Sequence, residues 1–243
     1  MAMKIEMTFQ QAVKKASQKL TKVQRRELPF AIANALTQTA KGLVQEQRKE
    51  MRRDFNKPIK YTLESSFYLP ASKNDNPPTA TFGLRQFAGK GTPANRYLGP
   101  NIFGGRRGEK SSERRLRTAG ILPSGYLTAP GRDAGILGNG NMRKGEITKL
   151  LAAVSALGAD SSTSASRRRN KNVRGYYVAY KGGKAVGIRH RPKGSDSRKI
   201  LNFIRSPNYQ KRYDYYETAD RYVKRKAVPN FRKALNFALA TAK

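Results

Sequence analysis

Cysteine is absent from all 243 residues, which excludes thiolate chemistry, cysteine-type zinc sites and disulfide staples. The absence fits assembly in a reducing cytosol. Histidine occurs once, as His190, set among Arg189, Arg191 and Lys193 with no acid or nucleophile spaced to work with it. Acidic residues number only 16, and none of them recurs with metal-ligand spacing. Asp214, Glu217 and Asp220 lie at i, i+3 and i+6, which reads as acids favoured by a helix dipole at its N-terminus. Gly104-Gly105-Arg106-Arg107-Gly108 lacks the Lys-Ser/Thr pair of a phosphate-binding P-loop. No apolar run approaches the roughly 20 residues that span a bilayer. The start, Met1-Ala2-Met3-Lys4, has no signal-peptide hydrophobic stretch. Together these gaps argue against an enzyme, a cofactor, a small-molecule substrate and a membrane partner.

What is abundant is positive charge. Fifty Lys and Arg face the 16 acids, for a formal charge of +34. Such a chain repels itself when compact, so its surroundings must supply counter-charge, and the abundant biological polyanions are nucleic acid and anionic membrane. The basic residues recur from Lys4 to Lys243, so this is not a basic tail on a neutral body.

The apolar residues are periodic. Phe9, Val13, Ala16, Leu20 and Val23 form one helical stripe, and Ile32, Leu36, Ala40, Leu43 and Met51 a second, opening near Pro29. Arg48, Lys49, Arg52 and Arg53 crowd the end of that second helix, where cations complement the dipole; phosphate binding is the alternative. The period then changes to two. Tyr61, Leu63, Ser65, Phe67 and Leu69, then Ala80, Phe82 and Leu84, predict a long hairpin whose tip, 70–78, protrudes. Residues 89–108 hold six glycines and two prolines, which predicts an irregular excursion. A short helix over 110–119, a strand within 121–130, a turn at 138–141 and a helix carrying Ile147, Leu150, Leu151, Val154 and Leu157 follow. Residues 158–174 read as a mobile polar linker ending in a basic run. Gly182-Gly183 between two strand-like runs signals a hairpin, and 199–205 supplies a further strand. A C-terminal helix closes the chain, with Pro229 expected to kink or split it. Tyr215 and Tyr216 read as core; Tyr209 and Tyr213 fit either core or base stacking.

The expected fold is α+β: N-terminal helices and a long C-terminal helix on a mostly antiparallel sheet, with a protruding hairpin and a glycine-rich loop. The expected segments are 1–56, 57–157, 158–174 and 175–243, with 57–243 as one domain. Candidate nucleic-acid or partner contacts are Arg106, Arg107, Arg114, Arg115, Arg117, Arg167, Arg168, Arg169, Lys171, Arg174, Arg189 and Arg191. Candidate inter-subunit contacts in the glycine-rich loop are Gly91, Pro93, Tyr97, Leu98, Pro100 and Phe103. No helix-turn-helix, zinc finger or RNA-recognition signature is visible, so phosphate contact without base readout is expected.

Two stretches resemble proteins of tailed bacteriophages. Gly91-Thr-Pro-Ala-Asn-Arg-Tyr-Leu-Gly-Pro100, Phe103-Gly-Gly105, Glu113-Arg-Arg-Leu-Arg-Thr-Ala-Gly120 and Leu122-Pro-Ser-Gly125 look like phage morphogenesis proteins. The basic hairpin, Pro207-Asn-Tyr-Gln-Lys-Arg212 and Asp214-Tyr-Tyr-Glu-Thr-Ala219 are similar to the minor tail protein Z and tail-completion families. The chain departs from them in carrying arginines before Gly120, where members carry acids. The resemblance implies a virion protein of the neck or tail, assembled in the host cytoplasm. It would form a homo-oligomeric ring around the DNA path and contact other neck and tail proteins. A soluble, sequence-independent nucleic-acid-binding protein, ribosomal or chromatin-like, is the alternative that charge alone would satisfy.

Overall fold

The structure, a computed structural model, describes residues 4–7, 22–88, 92–158 and 175–241. Within them the chain divides into two compact units, one formed by residues 1–103 with 211–243 and the other by 104–210. The fold is α+β, as the periodicities predict.

The first unit is organised by two long helices, α1 (Lys22–Asp54) and α6 (Tyr215–Thr241). They run antiparallel, since Gln47 meets Tyr215, Glu46 meets Arg225 and Thr39 meets Asn230. At one end Ala31 and Ala35 face Ala234 and Ala238, all buried; side chains this small let the two backbones approach closely. A three-stranded sheet, in the order β1-β3-β2, packs beside them from β1 (Lys4–Met7), β2 (Ser66–Leu69) and β3 (Ala80–Leu84). The hairpin register pairs Ser66 with Leu84 and Leu69 with Thr81. Phe82 and Leu84 of β3, Leu36, Leu43 and Met51 of α1, and Tyr213, Tyr215 and Ala219 around the start of α6 share one core. Each fully buried Leu or Phe stabilises this core by about 1.5–3 kcal/mol.

The core contains a buried polar relay. Tyr213 donates from its hydroxyl to Gln47 Oε1 at 2.6 Å, and Gln47 Nε2 donates to the carbonyl of Tyr215 at 2.8 Å. Tyr213 is therefore a core residue that fixes the entry to α6. The Tyr213→Phe variant leaves a buried amide oxygen without a donor, and a loss of about 1–3 kcal/mol is expected in a urea titration.

Several expectations about this unit change. The first predicted helix lies largely in 8–21, outside the described residues. The second starts at Lys22 and takes Pro29 into its body. Tyr61 and Leu63 belong to a helical turn, α2 (Lys60–Leu63), so the hairpin strands are shorter than the alternation suggested. The glycine-rich excursion is not irregular over most of its length: Ala94–Phe103 is a helix, α3, with Pro100 inside it. Ala94, Leu98 and Ile102 recur at i, i+4 and i+8, and their burial against the α1 core outweighs the local cost of Gly99 and Pro100. Leu98 and Pro100, expected at a subunit contact, are thus interior. Tyr97 is half-buried and bonded to Thr62, Pro93 is half-buried, and Phe103 is exposed. Gly91 lies outside the described residues. Pro229 neither ends nor splits α6, because Val223 before it and Ala234 and Ala238 after it are packed on partners.

The second unit is a four-stranded antiparallel sheet in the order β5-β8-β7-β6. Its strands are β5 (Tyr126–Pro130), β6 (Tyr176–Lys181), β7 (Lys184–His190) and β8 (Arg198–Arg205). Gly182 and Gly183 both have positive φ, 55° and 72°, which is the backbone a two-residue hairpin turn demands. A two-residue pairing joins β4 (Gly105–Arg106) to β9 (Asn208–Tyr209). Helices α4 (Ser111–Thr118) and α5 (Lys144–Gly158) bring Leu116 and Leu150 to Ile188, Ile200, Leu201 and Phe203. The expected single domain over 57–243 therefore does not exist as such. The hairpin at 66–84 shares its core with α6, whereas 104–210 has its own.

Candidate nucleic-acid interface

The twelve basic candidates separate by what they touch. Arg107 is turned inward, its side chain only 12 % exposed against a fully buried Glu113. Its guanidinium donates to both carboxylate oxygens of Glu113, through Nη1 to Oε2 at 2.8 Å, and also to the carbonyl of Thr128. Glu113 further accepts from the N–H of Lys110 at 2.7 Å and from the N–H and hydroxyl of Thr128 at 2.8 and 2.9 Å. Burial alone would raise the Glu113 pKa, but Arg107 and the Lys110 and Thr128 donors outweigh it and hold the carboxyl at about 2. Arg117 is similarly engaged: it donates to Glu109 at 2.7 Å and to the carbonyls of Pro123 and Tyr126 at 2.7 and 2.9 Å. Arg107 and Arg117 are thus internal struts. In sequence they cannot be told from their neighbours, because the distinction lies in which arginines face β5.

Arg106, Arg114 and Arg115 are exposed. Arg167, Arg168, Arg169, Lys171 and Arg174 lie outside the described residues. Arg189 and Arg191 sit at and just beyond the end of β7, and there the sheet assembles a cluster that periodicity did not reveal. Arg189 is the direct cross-strand partner of Lys199, and His190 of Arg198. Like charges directly opposite on adjacent strands are unfavourable. Arg132 joins them, because the Asp133 N–H donates to the carbonyl of Lys199 and its carboxylate accepts the Lys199 N–H at 2.8 Å. That backbone donor, with Arg132 beside it, lowers the Asp133 pKa. Tyr177 lies on the same sheet, hydrogen-bonded to Ser197 at 2.5 Å, with the Arg191 guanidinium 5.8 Å from its ring centroid. His190 stacks on Tyr176 at 4.4 Å between ring centroids.

The acids of this unit explain why its surface is so positive. Residues 104–210 contain 23 Lys and Arg but six Asp and Glu. Glu113 binds Arg107 internally, Glu109 binds Arg117, Asp133 holds the Lys199 backbone, and Glu146 accepts the N–H of Gly135 at 2.7 Å. The carboxylates are mostly engaged as fixings inside the fold, so few remain to offset the exposed cations.

Among the described residues no group of three or more His, Cys, Asp or Glu could hold a metal ion. No described helix is long and apolar enough to cross a membrane. Comparison with known protein families, with curated proteins and with solved structures finds no match for this chain.

Proposed function

We propose that this chain is a non-enzymatic structural protein of a tailed-bacteriophage particle, a ring subunit of the neck or tail that contacts DNA phosphates without reading sequence. The observation that carries the DNA contact is the cluster of Arg132, Arg189, Arg191, Arg198 and Lys199 at one end of the sheet, in a unit with 23 Lys and Arg against six acids. The placement in a virion rests on the sequence resemblance. Support for assembly comes from large apolar side chains left exposed on the first unit, among them Phe87 at 89 %, Phe237 at 56 % and Phe103 at 54 %. A soluble nucleic-acid-binding protein needs only the basic cluster and would not form rings; negative-stain images of the purified protein separate the two.

The DNA contact has a quantitative signature. Affinity for duplex DNA should fall with salt at a log–log slope of roughly −0.9 per phosphate neutralised. Replacing Arg189, Arg191 and Lys199 together by Gln should flatten that slope by up to about 2.7 while unrelated duplexes continue to compete equally. An unchanged slope, or a thousandfold preference for one sequence, overturns the reading.

A further inference from the structure

The two outer strands of the four-stranded sheet are finished differently. On β5 the outward backbone groups of Tyr126 and Thr128, which point away from β8, are satisfied. The Tyr126 N–H donates to Pro123 and its carbonyl accepts from Arg117; the Thr128 N–H donates to Glu113 and its carbonyl accepts from Arg107. Pro130 has no N–H to offer. This edge is closed to pairing.

Among the described residues the β6 edge is open. The Arg191 N–H donates to the carbonyl of Gly175 at 2.8 Å, which fixes the alternation: Gly175, Tyr177 and Ala179 face β7, while Tyr176, Val178 and Tyr180 point outward. Among the described residues nothing bonds the outward N–H and C=O groups of those three. The edge is apolar and aromatic, with Tyr180 65 % exposed, and a strand of this kind is a template for another. Cations bracket it, with Lys181 and Lys184 at the hairpin end and Arg191 at the other.

We propose that β6 is a docking edge for an extended acidic segment of a partner protein, which adds as a fifth strand with apolar residues beside Val178 and carboxylates toward both ends. Charge selects this occupant over a second copy. Antiparallel self-pairing centred on Val178 would set Lys181 of one chain opposite residue 175 of the other, beside its Arg191, so that cations meet cations at both ends. The inference shares Arg191 with the DNA reading but is carried by the unpaired edge of β6, which that reading does not use.

The test uses a fluorescein-labelled peptide, Asp-Glu-Val-Thr-Val-Thr-Glu-Asp, titrated onto the full chain, with hydrogen exchange followed residue by residue. The expected result is saturable binding with at least tenfold slower exchange at the amides of Tyr176, Val178 and Tyr180. The Val178→Pro variant removes the central outward donor at a position where an edge strand tolerates proline, and it should weaken binding at least tenfold. Should that variant not fold, the same peptide N-methylated at alternate residues reads the same contact and should bind at least tenfold more weakly to the unaltered protein. Equal binding of the methylated peptide would mean attraction by charge alone and would overturn the proposal. So would edge amides already protected in the free protein.

Discussion

Replacing Glu113 by glutamine is expected to unfold the second unit in mild denaturant, with a loss of about 3–5 kcal/mol. The change is nearly isosteric, and that is its value. Every partner of Glu113 is a donor: two guanidinium nitrogens of Arg107, the N–H of Lys110, and the N–H and hydroxyl of Thr128. An amide nitrogen placed there meets donors alone, and Arg107 loses its counter-charge in a buried site. The same network predicts acid sensitivity of defined sign. The folded carboxyl titrates at about 2 and the unfolded one at 4.5, so its contribution is complete above pH 4.5 and disappears as pH falls toward 2. That difference corresponds to about 3 kcal/mol. Thermal melts between pH 6 and pH 2.5 should show the unaltered protein losing this increment and the Gln variant failing to lose it. A variant that melts like the parent at pH 7 would sink the account.

A comparable loss is expected from one added methyl group. Gly187 lies within β7, and a Cβ built on it would stand 2.2 Å from the carbonyl oxygen of Leu201 on β8 and 3.3 Å from the Asn202 Cα. Backbone of a paired strand cannot step aside as a side-chain tip can, so Gly187→Ala must push β7 from β8 or shift the register that pairs Ile188 with Leu201. About 3 kcal/mol, the upper end for overpacking, is the expected cost. Gly182→Ala is the control. Its φ of 55° costs about 1–2 kcal/mol in any side-chain residue, yet nothing lies within 4 Å of the new methyl group. Urea midpoints for the two variants should therefore differ clearly, and equal midpoints would show that the β7–β8 approach is not this tight.

Much of the fold is legible in the sequence because it rests on local periodicity. The stripe Leu36, Leu43 and Met51, the Gly182-Gly183 turn and the short helix ending before Gly120 are all where spacing puts them. The failures share one cause: long-range burial overrides a local signal. Gly99 and Pro100 argue for irregular chain, yet Ala94, Leu98 and Ile102 find a core built by α1 and α6. Pro229 argues for a break that packing on both sides prevents. For the candidate site, charge is legible and its disposition is not. Lys199 opposite Arg189 is a fact of strand register across nine intervening residues. Only Glu113, three residues after Lys110 at the head of a helix, carried a local clue to its capping role.

The core of the first unit is closed by residues that follow 104–210 in the chain, and the Arg212 and Tyr213 N–H groups both return to the carbonyl of Asn101 at 2.9 Å. Residues 104–210 are thus inserted in the chain between Phe103 and Lys211 of the first unit. During synthesis at roughly 5–20 residues per second, the Ala31, Ala35 and Leu43 face of α1 waits roughly ten to forty seconds for Tyr215, Ala234 and Ala238 to be made. Residues 104–210 are contiguous and can close in that interval. The nascent chain therefore holds a finished, cationic unit behind an unfinished apolar helix, and its first-made surface is the last to be covered.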